Sequence, residues 1–97
     1  MYLKIHKISG SESVTAVCDA ELIGRTLTSE FCDITIDESF YGNELATEEE
    51  VIKALHNSVN ANIIGKKVCE IAVNEGLIDK ECCIIIEGIP HAQIYGV

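Results

Sequence analysis

The sequence predicts a single small α+β domain spanning residues 1–97. It is expected to be a mostly antiparallel sheet of four to five strands with two main helices on one face. Three observations predict this. Short runs near the N-terminus alternate apolar with polar residues, two later segments carry apolar residues at helical spacing, and Cys82 to Ile86 is apolar throughout. The chain's 97 residues leave no room for a second core. A chain of this size buries roughly 60–70 % of its unfolded surface, enough to fold without staples. Hydrophobic residues make up 47 % of it, with two Phe, three Tyr and no Trp, so the core is aliphatic.

The first strand is expected from Tyr2 to Ile8, with Leu3, Ile5 and Lys7 facing one way and Tyr2, Lys4, His6 and Ile8 the other. Ser9-Gly10-Ser11-Glu12-Ser13 is turn chemistry, and Val14 to Asp19 is a second strand completing a hairpin. Asp19 caps a short turn through Ala20–Ile23 that Gly24 ends. Phe31 to Asp37 reads as a third strand, with Phe31, Asp33, Thr35 and Asp37 on the outer side and Cys32, Ile34 and Ile36 inside. Ser39 to Asn43 is a turn.

Thr47 followed three residues later by Glu50 has capping-box spacing, and the helix it starts runs to about Asn57, burying Val51, Ile52 and Leu55. A second helix is predicted from Asn60 or Asn62 as cap to Gly76, with Ile64, Val68, Ile71 and Ala72 as its stripe. Cys82 to Ile86 reads as a central, fully covered strand. His91 to Tyr95 forms a last short strand after Gly88-Ile89-Pro90. If both helices cover one face, the other face must curl into a half-barrel or meet a second chain, so a homodimer is one expected solution.

The net charge of −9 is segregated: residues 26–52 carry eight acids and no base. A field of that sign repels nucleic acid and anionic lipid, and it favours a basic protein partner, a cation or plain solubility. No apolar stretch reaches membrane-spanning length. The cysteines (Cys18, Cys32, Cys69, Cys82 and Cys83) are odd in number and lack Cys-x-x-Cys spacing. The N-terminal alternation is unlike an export signal. They therefore read as small buried hydrophobes of a reducing cytoplasm rather than a disulfide framework or zinc knuckle.

Three clusters could carry chemistry. The first is Asn62, Gly65, Lys66 and Lys67 at the expected start of the second helix. Free N–H groups and two ammonium groups there could hold a phosphate or carboxylate, with Gly65 letting it approach; otherwise both lysines simply face water. The second is Pro90, His91 and Gln93. Proline stiffens the stalk beneath an imidazole that can ligate or transfer a proton, and Gln93 shares its face on a strand. The bland alternative is a histidine bonded to backbone. His91 is the one catalytic candidate, yet no nucleophile or orienting carboxylate is marked as its partner. The third, weaker set is Asp33 and Asp37, alternate carboxylates that a hard cation could use and that more often are only solvated. His6 and His56 read as structural. No cofactor is implied.

With Asn60-x-Asn62-Ile-Ile-Gly65-Lys66-Lys67, Gly76-Leu77-Ile78-Asp79, Gly88-Ile89-Pro90-His91-Ala92-Gln93 and Phe40-Tyr41-Gly42 in view, the chain resembles a small archaeal family catalogued as domain of unknown function 424. The likeness runs from the first strand to Gln93. It implies a compact cytosolic α+β protein with a link to translation and no established reaction, so no catalytic residue carries over. The five cysteines and the Ile94-Tyr95-Gly96-Val97 tail depart from the family's pattern.

Two kinds of function follow. One is a non-catalytic binding module that meets a basic protein, with any RNA phosphate contact local or through that partner. The other is a small enzyme using His91 as acid or base. A purely structural homodimer is the third reading.

Overall fold

In the computed structural model, residues 1–9, 12–30 and 33–95 are described. The alternating N-terminus forms the expected hairpin. Strand β1 (Tyr2–Ser9) pairs antiparallel with β2 (Glu12–Cys18), placing Tyr2 opposite Cys18 and Ile5 opposite Thr15. A 3₁₀ turn at Ala20–Leu22 then leads into β3 (Thr26–Thr28). Strand β3 pairs with β4 (Asp33–Thr35) in a separate two-stranded ribbon. The predicted third strand is thus shortened; Phe31 and Cys32 lie outside the described residues. Its faces are as expected, with Ile36 buried and Asp33 and Thr35 exposed.

The expected turn after Asp37 is a one-turn helix, α1 (Glu38–Tyr41). The Asp37 carboxylate accepts from the Ser39 N–H at 3.0 Å, and Gly42, at φ 84°, ends it. Helix α2 (Glu48–His56) carries the predicted capping box. The Thr47 hydroxyl accepts from the Glu50 N–H at 3.2 Å, and the Glu50 carboxylate accepts from the Thr47 N–H at 3.0 Å.

The next element corrects the sequence reading. Asn60 and Asn62 cap no helix; they lie in strand β5 (Asn60–Ile64), parallel to β2, and helix α3 (Lys66–Asn74) begins only after Gly65. The buried pair Ala61 and Ile63 alternates with the asparagines, which is strand periodicity. A second 3₁₀ turn at Lys80–Cys82 leads to β6 (Ile84–Ile86), which pairs antiparallel with β7 (Ile89–Tyr95). Strand β7 also pairs antiparallel with β5.

The main sheet runs β1-β2-β5-β7-β6. Helices α2 and α3 lie on one face, as predicted. Val51 and Leu55 of the first and Val68, Cys69 and Ala72 of the second pack on Val17, Ala61, Ile63, Ala92 and Ile94. The chain itself covers part of the other face, without a second copy. Leu22, Leu27, Ile36 and Tyr41, from the turn, the ribbon and α1, pack on Ala16, Cys18, Ile64 and Ile86.

Strand β6 is not central. It is a three-residue edge strand whose Ile84 and Ile85 are 63 % and 62 % exposed. Apolarity on both sides of a strand marks surface that avoids water, but does not say whether the chain covers it. Among the described residues, no helix is long and apolar enough to cross a membrane.

The two placements predict opposite sensitivities. Leu55→Ala, in a site 1 % exposed, is expected to cost about 3 kcal/mol in urea unfolding. Ile85→Lys at the sheet edge should stay within about 0.5 kcal/mol of the parent. An Ile85→Lys loss as large as that of Leu55→Ala would put β6 inside the fold.

Candidate functional site

Where β2 ends, one carboxylate joins three elements. The Asp19 N–H donates to the Ile64 carbonyl at 3.1 Å. Its side chain accepts from the N–H groups of Lys67 at 2.9 Å and Val68 at 3.0 Å. Asp19 is only 4 % exposed. The first turn of α3 holds Lys66 and Lys67 and no acid, an arrangement the helix dipole disfavours, and the Asp19 charge offsets it. Gly65 has φ +128°, and a Cβ there would stand 2.3 Å from the Asp19 Cγ. Glycine is required because the carboxylate fills the space.

This corrects the anion site expected from Gly65, Lys66 and Lys67. Its main-chain donors are real, but the anion they hold is the chain's own Asp19. Lys66 and Lys67 remain exposed. Lys66 shares a recess of about 190 Å³ with Asp19, Glu21, Leu22, Arg25 and Ile89. Sequence reasoning assigned Asp19 only to the turn that follows it; its partners lie 48 and 49 residues away.

Asn62, the fourth member of that cluster, belongs elsewhere. Cross-strand pairing puts Asn60 opposite Tyr95, Asn62 opposite Gln93 and Ile64 opposite His91, so these side chains share one sheet face. The His91 Nε2 lies 2.9 Å from the Asn62 Oδ1. That oxygen can only accept, so Nε2 donates. One register step on, the Tyr95 hydroxyl donates to the Gln93 Oε1.

The row adjoins the covered half of the face, where Ile64 is wholly buried, and runs out to Gln93 and Tyr95, which are exposed. His91 is half-buried at this boundary, and burial holds its imidazole below the usual 6.5. Burial thus favours the neutral ring over the charged one. Pro90, the residue before His91 in β7, accepts at its carbonyl from the Gly65 N–H at 2.9 Å, just past the end of β5. His91 and Gln93 therefore share a face as expected, joined by Asn62, while Gly65 and the lysines stand at the helix entrance.

The remaining candidates have local duties. The Asp37 carboxylate caps α1 and Asp33 sits opposite Thr28 in the ribbon. No cluster of three metal-ligating side chains occurs among the described residues. The His6 Nε2 donates to the Phe40 carbonyl at 2.6 Å and its ring stacks on Phe40 at 5.0 Å. His56 pairs with Glu75 at 2.9 Å, tying α2 to the end of α3. Cys18 and Cys69 are buried, and desolvation pushes their thiols to about 11 and about 12, away from nucleophilic use. Cys82 is exposed and Cys83 half-buried.

Asp19→Ala is expected to cost about 2 kcal/mol, because it strips two charge-assisted bonds from a helix start. Gly65→Ala should cost at least as much, and less in the Asp19→Ala background because the clash is gone. Strict additivity of the two losses in urea unfolding would contradict this geometry.

The His91 ring should titrate by NMR with a midpoint below 6.5. The unfolded ring binds its proton near 6.5 and the folded ring only lower. Its contribution is therefore intact above about 6.5 and is lost as pH falls below that value. A midpoint above 6.5 would mean the ring is charged.

A protein of the same architecture is known: the chain aligns with the crystal structure of an uncharacterized conserved protein from Methanopyrus kandleri. That alignment has TM-score 0.78 and 25 % identity, and covers 99 % of this chain and 92 % of the other. No curated protein matches the chain. Residues 6–97 match the family described as a protein of unknown function, DUF424, and the chain belongs to that family.

Proposed function

We propose that this chain is a non-catalytic binding module of an archaeal cytoplasm, which recognises a basic protein partner. Its recognition surface is the open half of the sheet, the row of Asn60, Asn62, His91, Gln93 and Tyr95. The observation that carries this reading is the bond between the His91 Nε2 and the Asn62 Oδ1. The imidazole's partner is a neutral amide, which orients the ring but neither takes nor supplies a proton. A locked, neutral ring beside exposed amide and phenol groups suits hydrogen-bond recognition better than acid–base turnover.

The acidic stretch at residues 26–52 supports a basic partner. Lys66 and Lys67 supply exposed ammonium groups at the start of α3, where an anionic group of the ligand would sit. Since the main-chain donors of that helix start are held by Asp19, such a contact uses side chains alone. RNA comes into reach through the partner protein or by one local phosphate contact, because the net charge of −9 opposes binding by bulk electrostatics.

A photo-crosslinking residue placed at Gln93, in extract of the parent organism, tests this. The expected result is one dominant protein adduct whose yield falls at least several-fold with Asn62→Ala or His91→Ala. Adducts that ignore both substitutions, or that form equally from a probe at Glu81, would refute the surface.

A further inference from the structure

The outer edge of β1 is a second place where the fold offers itself to another chain. Strand β1 is the terminal strand of the sheet. Asp19, which follows β2, directs its N–H to β5, and residues 15 and 17 share that parity. Their partners across the hairpin, Ile5 and Leu3, therefore turn their own N–H and C=O groups away from β2. The chain uses this edge at one end only. Leu45 pairs antiparallel with Tyr2, and the Ala46 N–H donates to the Met1 carbonyl at 2.8 Å. From Ile5 to Lys7 no strand of the described residues follows.

The edge runs between two recesses of different chemistry. One, of about 650 Å³, is lined by Lys4, Ile5, Asp37, Glu38, Ser39 and Glu44 among others. The Lys4 ammonium there donates to the Ser39 carbonyl at 3.0 Å, and the carboxylates of Asp37, Glu38 and Glu44 outnumber its single charge. The other, of about 390 Å³ beside α2, is lined by Leu3, Ile5, Thr15, Glu50, Lys53 and Ala54 among others. Ile5 is 52 % exposed there. A strand added to β1 would alternate its side chains between these recesses. The residue opposite Lys4 would point to the carboxylates, and the residue opposite Ile5 to the apolar side.

We propose that β1 takes up an extended segment of a partner protein as an added strand, and that this segment alternates basic with apolar residues. The proposal rests on the reading of a basic protein partner and supplies the mode of its capture, at a surface separate from the His91 row. Carboxylates select the basic positions, Ile5 and Ala54 the apolar ones, and the outward main-chain groups of β1 fix the register. The acidic field of the whole chain steers such a segment to the edge.

The test is an NMR titration of the full chain, at low ionic strength, with a short synthetic peptide of alternating lysine and valine. Amide shifts are expected at Ile5 and Lys7. N-methylation of the peptide at alternate residues should weaken binding at least ten-fold for the set whose N–H groups face β1 and leave the other set unaffected. Glu38→Gln with Glu44→Gln should weaken it by about three- to ten-fold.

Binding that ignores which set is methylated would overturn strand addition and leave a charge-driven basic partner standing. Shifts confined to Asn62 and Gln93 would overturn the β1 surface and favour the open sheet. No binding by this peptide would overturn the proposal at β1, while the Gln93 crosslink would still judge the open-sheet reading separately.

Discussion

The fold turns on the buried carboxylate of Asp19. Its main chain extends the parallel contact of β2 with β5, and its side chain closes the first turn of α3. A β-strand followed at once by a helix leaves unpaired N–H groups facing the sheet end, and burying them without a partner would cost more than the bond returns. Asp19 removes that penalty and also balances a helix start that carries two lysines. Gly65 is the backbone consequence, since any side chain there would meet the carboxylate. An anion-binding geometry has thus become an internal joint.

The joint sets where the polar row stands. With β5 held between β2 and β7, the alternation of Asn60, Ala61, Asn62 and Ile63 sends apolar residues to the helices and asparagines to the opposite face. The ribbon and α1 cover only part of that face, so the row begins at the rim of an apolar cluster and ends in water. His91 sits at that rim, buried enough to disfavour its charged form and close enough to Asn62 to be held in one orientation. Position along one strand decides both its burial and its partner.

Much of this could be read from residue order. The hairpin, the capping box of α2, the two helices on one face and the shared face of His91 and Gln93 are local or periodic features, and short-range geometry fixes those. The Asn60–Ile64 segment reads equally as a helix start, because asparagine is both a good cap and a tolerable residue on an open strand face. Five residues also leave strand and helix spacing hard to separate. Cys82 to Ile86 reads as central although β6 is an edge, because hydrophobicity measures avoidance of water and not position in a sheet.

The amino-acid order by itself determined the fold class, the segregation of negative charge and the identity of the side chains in the last third of the chain. Tertiary structure alone decided that Asp19, and not a bound anion, fills the start of α3, that Asn62 meets His91, and that β1 and β6 are the edges. Each of these depends on residues between 20 and 50 positions apart, or on which strand has no neighbour. Such contacts are chosen by how the sheet closes its core, and no spacing along the chain encodes them.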